Sequence, residues 1–297
     1  MLVSIAAHIA IDTIHSPSFE TTSIGGPTSY AGLIMRQFGL DVLAVTKLGF
    51  DFPDEYLVWL ARNQLNLAAE ARSKKRPTTR FRIDIQDNLR TLRLLTKCED
   101  LESRQLSNSD AVILSGIANE ISAEFAERAR RLTKFLFLDP QTLLRSFTAD
   151  GNCLVRPPKD LSLVSMATCV KADLEEALLL TGKRDRLDAA RDLMGLGIKI
   201  VLITHKTEVL VATEGVLYSV TTPPFHVVDT TGAGDIFAGG FVASYLKSAD
   251  PLWASCVAIS ASTLAVQQVG ISKVPPADSV TERAESIRRS GIKRLNP

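Results

Sequence analysis

The string Asp229-Thr230-Thr231-Gly232-Ala233-Gly234-Asp235, followed by Ile-Phe-Ala-Gly-Gly-Phe241, holds the residue types and order best suited to chemistry in this 297-residue sequence. Its two glycines permit a tight turn, and a strand is expected to end near Val228, just ahead of it. The small, apolar run after Asp235 predicts a helix beginning around Asp235 and lying close to its neighbours through Ala238, Gly239, Gly240 and Ala243. The first N–H groups of a helix have no intrahelical acceptor, and the helix dipole favours negative charge beside them. Main-chain donors from Gly232 through Asp235 would thus form an anion hole. A carboxylate at the same spot repels a bound phosphate, which is odd for a simple anion binder. It makes sense as a base that takes a hydroxyl proton while the N–H groups hold a phosphoryl group in transfer.

Competing motifs fail on the letters. A dinucleotide fingerprint would need glycine at position 237, which is Phe237, and no G-x-x-x-x-G-K-[ST] loop occurs anywhere. The H-R-D and D-F-G signatures of protein kinases and a nucleophile-elbow serine are missing as well. An aspartate capping a helix after a glycine turn would explain a lone G-x-G-D, but not the whole string. His8, His15, His205 and His226 lie far apart, with no cysteine or carboxylate at ligand spacing, so no zinc site is expected. His226 is read as strand packing and Trp59 as core.

The elements that must position this string follow from the hydrophobic pattern. Residues 2–7, 42–47, 111–116, 135–139, 168–172 and 200–204 read as buried strands. Residues 27–38, 53–63, 122–132, 174–181 and 186–195 read as helices. Such alternation predicts an α/β fold with a mostly parallel sheet covered on both faces. Residues 13–24 and 73–97 break the alternation. The first is polar and short-patterned; the second alternates apolar and charged side chains around a turn at Asp87-Asn88, which predicts antiparallel strands with one wet face. These lid strands, from about 12–24 and 73–97, could pair over the sheet edge; two separate surface hairpins are the other reading.

Lys and Arg total 34 against 33 Asp and Glu, a net charge of +1, so no global field draws the chain to nucleic acid or to a membrane surface. The basic run Arg72-Ser-Lys-Lys-Arg76 reads as a solvated edge of the lid, and the basic tail Arg288–Arg294 as a helix end favouring cations. Four scattered cysteines, no basic leader and no run of 18 apolar residues point to reduced thiols in a soluble, cytoplasmic protein.

The string Asp229–Asp235 resembles the signature of the ribokinase-like (PfkB) carbohydrate kinases along its whole length. The resemblance implies one ribokinase-like domain over residues 1–297, a three-layer α/β/α core with a small β-sheet lid. Asp235 would be the catalytic base, and Gly232, Ala233 and Gly234 would supply the anion hole. Gly25-Gly26 resembles the family's N-terminal di-glycine hinge beside the substrate, and Asp12, placed at the end of the first strand, resembles its hydroxyl-binding acid. Val45–Asp51 is similar to the strand-end G-x-D turn. Val170–Gly182 is similar to the N-x-x-E segment that organises Mg²⁺ and phosphate, here with Asp173 in place of asparagine and Glu176 retained.

On the nucleotide side the resemblance implies Asp173, Thr204, Lys206, Thr231, Gly232 and Gly234. The usual T-x-G-x-x-G loop is Thr204–Val209 without either glycine, so that loop must differ. Tyr30 stands where many sugar kinases have asparagine, which argues against ribokinase-type furanose recognition. Asp139-Pro-Gln141-Thr-Leu-Leu-Arg145 and the Asp-for-Asn change are similar to archaeal inositol kinases within the family. What this implies is ATP- and Mg²⁺-dependent phosphorylation of a small sugar or cyclic polyol, myo-inositol-like, held by Asp12, Gly25, Gly26, Tyr30, Gln141 and Arg145. A ribokinase or nucleoside kinase is the rival within the fold. A non-catalytic sugar-binding or regulatory relative is the rival of another class; the altered loop favours it and the intact Asp235 and Glu176 oppose it. A half-apolar lid also suggests a homodimer that hides the lid edges.

Overall fold

A computed structural model describes residues 1–17, 19–86, 89–268 and 274–295. The chain enters through β1 (Leu2–Ala6), makes β2 (Ala10–Ser16) and β3 (Phe19–Gly25), and returns by α1 (Pro27–Gln37) to β4 (Asp41–Val45). Then follow α2 (Asp54–Arg62), β5 (Leu65–Leu67), β6 (Arg80–Gln86), β7 (Leu89–Thr96), β8 (Ala111–Leu114), α3 (Ala123–Leu132) and β9 (Phe135–Leu138). A short helix α4 (Gln141–Leu144) leads into the hairpin β10 (Arg145–Phe147) and β11 (Cys153–Val155). The second half runs α5 (Ser162–Ser165), β12 (Cys169–Asp173), α6 (Leu174–Thr181), α7 (Arg186–Gly195), β13 (Ile200–His205), β14 (Glu208–Thr213) and β15 (Val216–Thr221). It ends with α8 (Ala233–Ser248), α9 (Pro251–Ala265), α10 (Ala277–Ser290) and β16 (Ile292–Leu295).

The large sheet has the order β5-β4-β1-β8-β9-β12-β13-β14-β15-β16, parallel from β5 through β13 and antiparallel over the last three pairings. Its central strands read as nearly continuous apolar runs because both faces are buried. Phe135 and Phe137 pack on one side with α1, α8 and α9, while Leu136 and Leu138 pack on the other with α3, α6 and α7. Alternation of side chains along one strand thus feeds two cores. This is the mostly parallel, two-sided sheet that the strand–helix alternation predicted.

A second sheet, β3-β2-β6-β7, is separate from the first and contributes Phe81, Ile83 and Leu92 to a cavity that Asp139 and Lys171 also line. Its outer pairs, β2–β3 and β6–β7, are antiparallel, but the central β2–β6 pair is parallel, with Ile11 opposite Arg80. The purely antiparallel lid expected from alternation is therefore corrected: two antiparallel hairpins join through one parallel pair. Residues 73–79 precede the strand rather than joining it. The turn expected at Asp87-Asn88 lies outside the described residues. Asp51 anchors this junction by accepting the Thr78 N–H at 2.6 Å and the Arg80 guanidinium at 2.9 Å.

Two local expectations fail. Residues 222–232 form no strand, and His226, Val227 and Val228 are exposed, so His226 packs in no strand. The basic tail is not only a helix end, since Ile292–Leu295 adds β16 to the sheet edge beside β15. Its Lys293 and Arg294 suit an edge strand, which charge protects from pairing with other chains. No helix among the described residues is long and apolar enough to cross a membrane.

Candidate active site

The turn before α8 is built by Asp229, whose Oδ1 accepts the Thr231 N–H at 2.8 Å, and by Gly232 at φ 72°, a left-handed conformation natural to glycine. A Cβ at Gly232 would also stand 2.5 Å from the Tyr30 ring, so the ring lies flat against the turn and fixes it from behind. α8 itself is pinned by small residues. A Cβ at Gly239 would meet the Ala31 carbonyl of α1 at 2.6 Å, and one at Gly240 would meet Ala258 of α9 at 3.4 Å. The close approach that the small-residue stripe predicted is thus what aims the helix start.

The Ala233 N–H donates to the Thr230 carbonyl at 3.1 Å, which takes it out of the expected anion hole. The amides of Gly232, Gly234 and Asp235 have no acceptor among the described residues and remain for a ligand. The Asp235 carboxyl faces a cavity of about 680 Å³ that also exposes Asp12, Gly26, Tyr30, Gln141 and Arg145. Burial, reinforced by the nearby Asp139, pushes the Asp235 carboxyl up to about 7, against the opposing pull of Lys171 and Arg145.

Asp12 lies within lid strand β2, not at the end of the first strand, and its carboxylate sits directly over Gly25. Gly25 lines neither cavity; Gly26 does, at φ 87°, where any side chain would collide with the His8 carbonyl. Gln141 is buried, giving one amide hydrogen to Ser115 Oγ at 2.9 Å. Arg145 begins the β10–β11 hairpin, which is tied to the lid by the Leu94 N–H to Gly151 carbonyl bond at 2.8 Å. That hairpin also brings Asn152 to the cavity, a residue for which the sequence carries no signal.

Asp173 and Glu176 form a capping box at the start of α6: Asp173 Oδ1 accepts the Glu176 N–H at 2.8 Å and Glu176 Oε2 accepts the Asp173 N–H at 2.9 Å. Burial and the carboxylates of Asp139 and Asp173 raise Glu176 to about 7, with Lys171 opposing. The pair therefore caps a helix and also gathers negative charge at the cavity floor.

A second cavity, about 660 Å³, lies on the far side of the turn. Thr204 and Lys206 reach it from the β13–β14 hairpin, whose two-residue turn holds Lys206 at φ 51°. Its walls include Phe225, Val227, Phe237 and Val266. Asp173 and Gly234 face both cavities, whereas Thr231 and Gly232 face only the first. Asp139 and Lys171, ion-paired at 3.4 Å, line the first cavity as well, and the sequence gives neither a site role. Their signal was a lysine inside one apolar strand and an aspartate just past the end of another. Among the described residues no group of three or more His, Cys, Asp and Glu is arranged to hold a metal.

The chain matches the pfkB family of carbohydrate kinases over residues 11–278. It is 27% identical over 265 residues to a cytidine kinase of Thermococcus kodakarensis, covering 82% of this chain and 88% of that one. It is 25% identical over 294 residues to an inositol 3-kinase of Oryza sativa subsp. japonica, covering 92% of this chain and 69% of the other. In three dimensions it is similar, at a TM-score of 0.81 and 18% identity, to a pyrophosphate-dependent kinase in the ribokinase family solved with a pyrophosphate analog and myo-inositol; 94% of this chain and 99% of that chain are covered.

Proposed function

The chain belongs to the pfkB family of carbohydrate kinases, and from that premise we propose that it transfers the terminal phosphoryl group of ATP, with Mg²⁺, to one hydroxyl of a cyclic polyol of the myo-inositol type. The observation that carries this reading is the place of Asp235, a carboxyl facing the acceptor cavity at a helix start with free amides, one of them on Gly234, which borders a second cavity as well. Asp235 takes the acceptor's proton as the oxygen attacks, and a value near 7 suits a base working at neutral pH. The Gly232, Gly234 and Asp235 amides hold charge on the group in transfer. Asp12 accepts from ring hydroxyls, Arg145 donates to them, and Gln141 and Asn152 can do either.

The donor reading rests on the second cavity. Phe225, Val227, Phe237 and Val266 give it an apolar wall fit for a nucleobase, with Thr204 and Lys206 near the phosphates. Pyrophosphate would leave that wall unused. Asp173 and Glu176 present hard oxygen donors, and Glu176, pushed up first by burial and then by the carboxylates of Asp139 and Asp173, would be eased by a divalent cation, so the pair fits Mg²⁺ carried in with the donor. When bound, Mg²⁺ supplies charge neutralisation at the phosphates.

One observation favours a second acceptor class. The lid contributes Phe81, Ile83 and Leu92 to the first cavity, an apolar roof on which a nucleoside base could lie. A panel of myo-inositol, ribose, fructose, cytidine and adenosine, each with ATP and with pyrophosphate, decides between these readings by kcat/KM. The proposal expects myo-inositol with ATP to lead; a nucleoside or ribose in first place removes the polyol reading, and a faster rate with pyrophosphate removes the nucleotide donor.

A further inference from the structure

The two cavities share Lys171, Asp173, Thr230 and Gly234, so a phosphoryl group passing from donor to acceptor crosses the ground between these four residues. Lys171 is the only cation among them. It sits midway along β12, 6% exposed, between the wholly buried Val170 and Ala172. Its ammonium lies 3.4 Å from Asp139 Oδ2. A Cβ placed on Gly234 would stand 3.0 Å from Nζ, so the charge lies against the same turn that presents the free amides. A lysine needed only to neutralise Asp139 would have no reason to border both cavities at that turn.

We infer that Lys171 is a catalytic residue whose ammonium contacts the phosphoryl group in transfer, beside the Gly232, Gly234 and Asp235 amides, with Asp139 as the positioning residue that holds it there. In the transfer, the P–O bond to the donor breaks with its electron pair leaving on the donor oxygen. The P–O bond to the acceptor oxygen forms, and the acceptor's proton goes to Asp235. Lys171 keeps its proton throughout and acts as a fixed charge where three phosphoryl oxygens spread their negative charge. A compact ammonium suits a site crowded by Gly234 and Asp139, where a planar guanidinium would not fit. The inference rests on phosphoryl transfer, not on which acceptor or donor is used.

The experiment compares Lys171→Met, Asp139→Asn and the double variant, using the donor and acceptor that the panel ranks first. Lys171→Met should lower kcat by ~10²–10³, the usual worth of one preorganised donor to a charged transition state, while the acceptor KM stays within about threefold. The double variant removes both buried charges together, which protein interiors tolerate well, and should remain as slow as Lys171→Met. Recovery of the double variant to within tenfold of the wild-type kcat would make Lys171 a mere counter-charge and overturn the inference. So would a Lys171→Met enzyme that keeps more than a tenth of the wild-type kcat. If Lys171→Met unfolds, as a thermal melt would reveal, the double variant decides alone. A first-ranked acceptor other than a polyol would refute the acceptor reading and leave this test intact.

Discussion

Replacing Asp235 by asparagine should slow the enzyme and stabilise the protein, and both effects follow from one geometry. The carboxyl is raised from 3.8 to about 7, first by burial and then by the negative charge of Asp139. The folded chain therefore holds this proton more tightly than the unfolded chain does. Between pH 3.8 and 7 the unfolded state has already lost the proton and the folded state has not, so stability falls as pH rises through that window. Above pH 7 the full cost applies, about 4 kcal/mol at 1.36 kcal/mol per tenfold change in proton affinity, an upper figure because water reaches the cavity. Asparagine carries no such cost. The variant should melt higher than wild type by up to roughly 6 °C at pH 8 for a chain of this length, with the gain shrinking toward pH 3. At pH 8 turnover should fall by ~10²–10⁴. The wild-type kcat/KM should climb about tenfold per pH unit up to ~7 and then level, as the base form fills. The checks are scanning calorimetry from pH 3 to 8 and a pH–rate profile. A variant that melts no higher than wild type at pH 8, or turns over within tenfold of it, would refute the placement of Asp235 as a strained base.

Three further outcomes follow from the surrounding residues. Arg145→Ala and Gln141→Ala should each raise the acceptor KM roughly tenfold, the worth of one or two hydrogen bonds, with the donor KM unchanged; steady-state kinetics in both substrates would show an altered donor KM if they sat elsewhere. Burial opposes ionisation of Asp51, yet the Thr78 N–H and the Arg80 guanidinium hold its carboxyl down at about 2. Its contribution is therefore present above pH 3.8 and lost as pH falls toward 2. Asp51→Asn should cost about 1–2 kcal/mol at pH 7 in urea titrations, less than the full shift because both partners are partly solvated, and the difference should close below pH 3. Bound acceptor together with a non-hydrolysable ATP analogue should slow amide exchange in β2, β3, β6 and β7 and leave β8 and β9 unchanged, since the lid must exclude water during transfer. Equal exchange with and without ligands would argue for a fixed lid.

The strand–helix alternation and the Asp229–Asp235 string were legible because each rests on local physics: period, helix-start chemistry and glycine turns. Non-local pairing was not. Nothing in residues 10–16 announces that they run parallel to residues 80–86, and the short, charged stretch Ile292–Leu295 lacks the apolar signal of a strand because it lies at an edge. Lys171 and Asp139 were passed over because each is one polar letter in an apolar run, and only the fold brings them within 3.4 Å of each other. The Ala233 amide was miscounted for a similar reason. A helix start offers free N–H groups in general, but the particular turn before α8 folds the Thr230 carbonyl onto one of them.

The parallel β2–β6 pair also sets the order in which this chain can be made and taken apart. Its two strands are separated by roughly sixty residues of core, and closing a loop of that length costs about 4 kcal/mol of chain entropy before any contact across it offsets the loss. A ribosome must have released residues up to β6 before β2 finds its neighbour, so the first hairpin waits, half-exposed, while β4, α2 and β5 assemble beneath it. In the finished protein the same arithmetic runs backwards. The small sheet should be the unit that opens first, exposing Phe81 and Ile83, which are buried when it is closed. Proteases and chaperones should therefore meet this protein at the roof of its acceptor cavity, and an occupied cavity should protect the chain from both.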